Sequence, residues 1–147
     1  RANMCMASMG QIASGGYITR KMEQAVVDEQ VAKLQIKVAS AEDAVSSLSG
    51  GNQQKVVVGN WLSTRPRVML FDEPTRGIDV QAKQQLFQVM WDLSCEGIAT
   101  IFVSTELEEL VEVCHRILIM REGRIVDEVR PETLTADELA LRCMGEN

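Results

Sequence analysis

Paired cysteines, long apolar runs and clustered positive charge are all missing from this sequence. Its four cysteines, Cys5, Cys95, Cys114 and Cys143, have no Cys-x-x-Cys spacing, which argues against a disulfide framework or a cysteine metal site. No apolar run approaches the ~20 residues of a membrane-spanning helix, and no signal-peptide pattern is present. The net charge of −6, without a basic patch, argues against nucleic acid as a partner. Scattered thiols fit a reducing compartment, which predicts a cytoplasmic location.

The length of 147 residues is enough for one globular domain, and 46% hydrophobic with 24% charged residues is a globular composition. No Gly-x-x-x-x-Gly-Lys-Ser/Thr run occurs, so the loop that commonly cradles phosphates is not among these residues. The sequence begins at Arg1 within a pattern rather than at a Met, and we expect it to be a piece of a longer polypeptide.

The apolar pattern changes character near residue 65. Residues 1–65 have helical spacing, with a loop or frayed start expected over 1–19 and helices expected after Thr19 and after Ser49. Residues 66–147 alternate strands with helices, which predicts a mostly parallel sheet with helices on both faces. The interpretation is an α/β fold with a helical subdomain over 1–65 and a sheet-containing core over 66–147.

Short continuous apolar runs in the second part indicate strands that are buried on both faces, at 68–71, 99–103 and 116–120. After the Glu122-Gly123 turn, a hairpin partner is predicted at 124–129. Helices are predicted between and after the strands, at about 80–96, 106–113 and 135–144.

The most informative run is Leu48-Ser49-Gly50-Gly51-Asn52-Gln53-Gln54-Lys55, a glycine turn that opens a helix. As N-cap, Ser49 is expected to bond a free amide of the first turn. The glycines let backbone approach a phosphate closely, and the helix N-terminus favours an anion. Taken alone, the run is fully explained as an ordinary capped helix after a flexible turn, which is the favoured interpretation of Ser-Gly-Gly by itself.

Two carboxylates, Asp72 and Glu73, follow the first apolar run and precede Pro74. The end of a parallel strand lies at the edge of the sheet where α/β folds bind ligands. Asp72 is suited to Mg²⁺, a cation that takes few protein carboxylates, and Glu73 is suited to orient or deprotonate an attacking water. The alternative interpretation is a solvated acidic turn.

The order of these motifs, followed by Gly77-Ile78-Asp79, resembles the later part of an ABC-transporter ATPase domain, a P-loop NTPase fold. In this resemblance Leu48–Lys55 is the signature motif and Asp72-Glu73 belongs to Walker B. The sequence is most similar to the second ATPase domain of fused subunits from bacterial monosaccharide importers of the ribose, galactose, xylose and arabinose type. The resemblance is specific from Leu48 to Arg130, and it implies that the Walker A and Q-loop regions precede Arg1.

The resemblance also implies roles for individual residues. Ser49, Gly50 and Gly51, with Asn52 and Gln53 beside them, would contact ATP held by a partner domain; Asn52 stands where the general motif has Gln. In the Walker B motif, Asp72 would be the magnesium residue and Glu73 the catalytic base.

Two further positions carry implied roles. Asp79 would end the D-loop, which communicates across the dimer, and it is also a suitable N-cap for the next helix. Thr105 occupies the switch position, where the general pattern has a His that contacts the γ-phosphate. A threonine hydroxyl donates a hydrogen bond but carries no imidazolium charge, so hydrolysis at this domain's own site is in question. The only histidine, His115, is interpreted as a packing or surface residue.

The implied function is that of an ATP-hydrolysing subunit that powers sugar import at the inner face of the cell membrane. The implied partners are a second nucleotide-binding domain, membrane permease subunits and, indirectly, a periplasmic sugar-binding protein. ATP and Mg²⁺ are the cofactors of the full assembly, and tight binding by this piece alone is not expected. The alternatives are an ABC-like binding or regulatory module without hydrolysis, and an ABC protein of DNA repair or translation, which the acidic charge disfavours.

In the resembling fold, the P-loop strand lies between the predicted strands 99–103 and 116–120. Buried ladder groups without partners cost about 1–3 kcal/mol each, and open strand edges invite pairing. We therefore expect this piece either to pair 99–103 directly with 116–120 or to dimerise by strand exchange.

Overall fold

The computed structural model describes residues 1–145, which contain seven α-helices and four β-strands. The helices are α1 (Ala2–Cys5), α2 (Met9–Ile12), α3 (Arg20–Lys33), α4 (Gly50–Leu62), α5 (Val80–Cys95), α6 (Leu107–Val113) and α7 (Ala136–Met144). The strands are β1 (Val68–Asp72), β2 (Ala99–Val103), β3 (Ile117–Arg121) and β4 (Arg124–Val129). None of the helices in this described part is long and apolar enough to cross a membrane.

The chain forms two compact units. The first unit comprises Arg1–Met69 and Thr75–Ala99, and the second comprises Leu70–Pro74 and the chain from Thr100 onward. Helix α5 therefore packs with the helices that precede it in sequence. The predicted boundary near residue 65 separates a helical subdomain that carries the signature run from a core that carries the acidic pair. This division stays a prediction.

Short helices occupy residues 2–12, so the predicted loop or frayed start is wrong for that part, whereas residues 13–19 lie in no helix. Helix α1 contacts both α3 and α4, and its Met4 and Cys5 are 4% and 0% exposed. The Arg1 guanidinium bonds Glu23 at 2.8 Å, and the Ala7 amide donates to Asn60 Oδ1 at 2.9 Å. These tertiary contacts order a segment that has no periodicity of its own.

Side-chain caps fix the starts of three predicted helices. Thr19 Oγ1 accepts from the Met22 amide at the start of α3, and Asp79 Oδ1 accepts from the Ala82 amide at 2.9 Å at the start of α5. Thr135 begins α7 with a capping box that includes Glu138. These predicted helix starts are confirmed.

Helices α4 and α5 approach each other closely at Gly51. A Cβ added to Gly51 would lie 2.6 Å from the Cβ of Ala82, whereas one added to Gly50 would meet only Ile78 Cγ2 at 3.7 Å. The glycine of the signature run is therefore required for packing within this unit, independently of any ligand.

Strands β1 and β2 form a parallel pair. The Ala99 amide donates to Arg67 O at 3.0 Å and the Glu73 amide to Val103 O at 2.9 Å, so residue numbers rise together along both strands. Strands β3 and β4 form the predicted antiparallel hairpin, with Ile117 opposite Val129 and a bulge between Ile119 and Met120. The predicted α/β class is confirmed.

The prediction that the strands formed by the apolar runs are buried on both faces is wrong. Met69 and Phe71 of β1 are buried, but Val68 and Leu70 are 54% and 66% exposed, and Ile101 of β2 is 54% exposed. An apolar run specifies a strand without specifying how many faces of that strand are packed.

Direct pairing of 99–103 with 116–120 is also wrong. Strand β2 is hydrogen-bonded to β1 and strand β3 to β4, in two separate two-stranded sheets. The hairpin gives β3 a local partner across a two-residue turn, which costs little loop entropy compared with a distant strand. Strand exchange between chains stays a prediction.

The hairpin and the last helices build the core of the second unit. Ile117, Ile119, Val129 and Leu139 are buried together, and Cys114 packs against them among other partly buried side chains. Burial raises the pKa of the Cys114 thiol. His115, next to it, is exposed.

Truncating Leu139 tests this core. Leu139 is 0% exposed, so Leu139→Ala is expected to lower the free energy of unfolding by about 2–5 kcal/mol. Leu141→Ala, on the same helix at 48% exposure, is the control and is expected to change it by under about 0.5 kcal/mol. Equal losses in urea denaturation would contradict the assignment.

Adding a methyl group at Gly51 tests the contact between α4 and α5. Gly51→Ala is expected to cost about 1–3 kcal/mol because Ala82 cannot move without its backbone. Gly50→Ala is the matched control, with an expected change under about 0.5 kcal/mol. Thermal denaturation should also show partial rescue of Gly51→Ala by Ala82→Gly, and no rescue would argue against this contact.

The capping box of α7 predicts a pH dependence. Hydrogen bonds from the Thr135 amide at 2.7 Å and hydroxyl at 2.9 Å hold the pKa of Glu138 below its usual value, with Arg142 adding to the effect. A depressed folded-state pKa stabilises the protein above the unfolded-state pKa, and this contribution is lost as the pH falls through the folded-state pKa.

Glu138→Gln is therefore expected to lower the melting temperature at pH 7 and to match the wild type at a pH below the folded-state pKa. Glu132→Gln, which removes an exposed carboxylate without a hydrogen bond or ion pair in the described structure, is the control. A Glu138→Gln deficit that persists unchanged in acid would refute the charge-based explanation.

Candidate functional site

The signature run forms the turn and first residues of α4, but Ser49 does not cap the helix as predicted. Ser49 occupies the N-cap position, and its side chain accepts no backbone amide of the first turn. Its Oγ instead accepts a hydrogen bond from Asn52 Nδ2 at 2.9 Å. The prediction that Ser49 bonds a free amide is wrong because the Asn52 side chain, one turn later, takes that oxygen.

Both amide side chains that follow the glycines are hydrogen-bonded within the protein. Asn52 Oδ1 accepts from the backbone amide of Lys37 at 2.9 Å, which ties α4 to the segment after α3. Gln53 Nε2 donates to Leu48 O at 2.8 Å and holds the turn itself. Sequence reasoning missed Lys37, since nothing in the local pattern connects it to a motif 15 residues away.

A polar cavity of about 140 Å³ lies beside this turn. Ser49, Gly51 and Asn52 line it from α4, Asp79 from the start of α5, and Lys37 from the preceding segment. The structure thus brings the predicted D-loop residue Asp79 to the same cavity as the signature residues.

Two lysines, Lys37 and Lys55, lie near the start of α4. Lys55 is only 7% exposed, and its burial, together with the nearby charge of Lys37, lowers the pKa of its ammonium group. The N-terminal end of a helix also favours an anion through its free amides and dipole. The arrangement suits contact with a phosphate group.

The acidic pair lies in the second unit, at the end of β1. Asp72 is exposed, and Glu73 is partly exposed with a backbone φ of 46°. A non-glycine residue in the left-handed region costs about 1–3 kcal/mol and persists only where the surroundings hold it. The hydrogen bond from the Glu73 amide to Val103 O supplies such a restraint.

Thr105, at the predicted switch position, reaches the predicted base. Its Oγ1 donates to Glu73 Oε2 at 3.4 Å. The turn that carries it is fixed by Ser104, whose Oγ donates to the buried Glu109 at 3.0 Å and accepts from the Glu106 amide at 3.0 Å. Sequence reasoning did not predict the Ser104–Glu109 contact, although a Ser followed five residues later by a helical Glu is compatible with it.

The donor set at Asp72 fits magnesium better than a closed metal site. Within residues 1–145, no group of three His, Cys, Asp or Glu side chains is arranged to hold a metal ion. Magnesium commonly binds through one or two carboxylates together with waters and phosphate oxygens. The exposed carboxylate of Asp72 matches that need. Asp72 is the last residue of β1 and directly precedes Glu73.

Comparison with known proteins identifies relatives over almost the whole chain. Ribose import ATP-binding protein RbsA 1 of Mesorhizobium japonicum is 42% identical, covering 99% of this chain and 29% of the relative. Ribose import ATP-binding protein RbsA of Oceanobacillus iheyensis is 40% identical, covering 100% of this chain and 30% of the relative. This chain therefore spans less than a third of the length of these relatives.

Solved structures show the same fold at low sequence identity. An ABC transporter in an inward-facing conformation matches 94% of this chain and 55% of its own, with a TM-score of 0.77 at 19% identity. An ATP-binding cassette of another ABC transporter matches 97% of this chain and 57% of its own, with a TM-score of 0.73 at 19% identity. The family model described as ABC transporter matches residues 3–76, half of the 147 residues. The chain belongs to the ABC transporter family.

Proposed function

We propose that this chain supplies the signature and Walker B motifs of an ATP-hydrolysing subunit that powers monosaccharide import. The observation that carries the proposal is the contact between Thr105 and Glu73, because it joins the switch position to the carboxylate expected to activate water. Relatives at 40–42% identity are named ribose import ATP-binding proteins, which supports the substrate class of the whole assembly.

In this proposal, the signature turn serves a nucleotide held by a partner domain. Ser49, Gly50 and Gly51 would contact its γ-phosphate from the start of α4, with Asn52 and Gln53 beside them. The cavity lined by Ser49, Gly51 and Asp79, with Lys37 also in its lining, supports this role. A dimeric ATP-binding cassette with ADP and Pi bound is among the solved structures of the same fold, which supports a two-domain arrangement.

The Walker B residues would act on the chain's own side of the assembly. Asp72 would hold Mg²⁺, which neutralises phosphate charge during phosphoryl transfer. Glu73 would accept a proton from the water that attacks the γ-phosphorus, as the bond to the ADP oxygen breaks. Thr105 orients the Glu73 carboxylate through its hydroxyl, and Asp79 would relay the state of one site to the other.

The proposed partners follow from the same assignment. They are a second nucleotide-binding domain, membrane permease subunits and, through the permease, a periplasmic sugar-binding protein. The assembly would work at the cytoplasmic face of the cell membrane. A role as a regulatory module without hydrolysis is the second candidate, because Thr105 cannot carry the charge of the imidazolium that the general pattern places there.

Replacing the proposed base distinguishes these two functions. In a fusion of this chain to the P-loop-bearing segment of a relative, assembled with a second nucleotide-binding domain, Glu73→Gln is expected to slow phosphate release at least about 100-fold, because the neutral amide cannot take the proton of the attacking water. MgATP affinity should stay within about threefold, since the amide leaves the magnesium residue Asp72 in place.

Glu106→Gln is the matched control, since Glu106 is exposed and follows Thr105 directly in sequence. The Glu106 carboxylate has no hydrogen bond or ion pair in the described structure; its backbone amide donates to Ser104. It is expected to leave phosphate release unchanged. Release that is the same in the Glu73→Gln variant and the wild type would reject the catalytic role and favour the regulatory module.

A further inference from the structure

We propose that Asn52 is a positioning residue that holds the Ser49 hydroxyl with its proton free to donate to the phosphate, and that Asn52 does not itself contact the nucleotide. The inference rests on the proposed function and deepens it. It begins from two hydrogen bonds of 2.9 Å, one from the Lys37 amide to Asn52 Oδ1 and one from Asn52 Nδ2 to Ser49 Oγ.

The direction of each hydrogen bond follows from the chemistry of its members. A backbone N–H of Lys37 can only donate, so the oxygen of the Asn52 amide must face it. The Nδ2 group then faces Ser49 and can only donate, so Ser49 Oγ must accept. A hydroxyl that accepts a hydrogen bond keeps its own proton for a second partner.

That second partner is not supplied by the protein. Within the described residues, no acceptor takes the Ser49 proton, and the side chain lines the polar cavity of about 140 Å³. The hydroxyl therefore presents a donor to the space where the proposed phosphate lies. An anion accepts such a hydrogen bond more strongly than a neutral group does.

The residues just before Lys37 are packed into the core. Lys37 follows Ile36, which is 6% exposed and whose amide donates to Val31 O at 3.0 Å at the end of α3. Leu34 is 3% exposed in the same segment. The Lys37 amide is thus held by packed core, and the position of Asn52 follows from it.

Asn52→Asp keeps the size of the side chain and an acceptor for the Lys37 amide, and it adds a negative charge, whose separate effect is measured by the same substitution in a Ser49→Ala background. Its second carboxylate oxygen cannot donate, so Ser49 would donate to it and lose its free proton. We expect kcat for phosphate release by the assembly with a P-loop-bearing partner to fall about tenfold or more, as for loss of a preorganised donor.

A double-mutant cycle measures whether the effect of Asn52 on kcat depends on the Ser49 hydroxyl, a dependence that a purely structural role of Asn52 would not produce. Asn52→Ala is expected to lower kcat about tenfold in the wild type but under about twofold in a Ser49→Ala background, because it acts through the Ser49 hydroxyl. Val57→Ala is the control, since this side chain is on the same helix, lies outside the signature run and is 52% exposed; it should leave kcat unchanged.

Each outcome decides the inference. Equal effects of Asn52→Ala in both backgrounds would mean that Asn52 acts on the nucleotide or the fold directly, which overturns the proposal while leaving the proposed function intact. Unchanged hydrolysis in Ser49→Ala itself would instead reject the signature role in the proposed function, and the inference with it. Should Asn52→Ala fail to fold, the same cycle is run with Asn52→Leu, which is close to Asn in size and carries no charge.

Discussion

The close approach of α4 and α5 is the constraint on which the first unit depends. At Gly51 there is no room for a side chain, because Ala82 of α5 occupies the space that a Cβ would need. Both residues lie in the first turns of their helices, so the N-terminal ends of α4 and α5 are brought together. Ser49 and Asp79, the N-cap residues of these two helices, consequently line one cavity.

In the second unit, the main structural feature is a carboxylate, that of Glu73, held at the end of a strand. The parallel ladder binds the Glu73 amide to Val103 and supports a backbone conformation that is unfavourable for a non-glycine residue. Two residues beyond Val103, Thr105 reaches the Glu73 carboxylate. The strand pairing that holds Glu73 in this conformation therefore also places Thr105 within hydrogen-bond distance of the Glu73 carboxylate.

The two units contain the parts of two different proposed sites. The start of α4 offers hydrogen-bond donors and nearby positive charge, and the end of β1 offers carboxylates. The first suits an approaching phosphate, and the second suits a metal ion and an attacking water. This division agrees with a subunit whose signature motif acts on a neighbour's nucleotide.

Elements with local chemical signals could be predicted from the sequence. Caps at Thr19, Asp79 and Thr135 specify helix starts, and the Glu122-Gly123 turn, with φ of 50° and 76°, specifies the hairpin. The order of the motifs likewise indicated the family. Each of these signals depends on residues that are close together in the chain.

Features that depend on distant contacts could not be predicted. The N-terminal helices are ordered by burial of Met4 and Cys5 against α3 and α4, which no local pattern encodes. Ser49 was expected to cap its helix, but the Lys37 amide fixes Asn52, and Asn52 takes the serine oxygen. Tertiary hydrogen bonds thus changed the side-chain contacts of a run whose place at the start of a helix was correctly predicted.

Photo-crosslinking with an ATP analogue that carries the reactive group on its γ-phosphate tests the central claim most directly. The account predicts that the peptide containing Ser49–Gln53 is labelled only when a P-loop-bearing partner domain is present, because that partner holds the nucleotide. Labelling of the same peptide at equal yield in the chain alone would contradict the account.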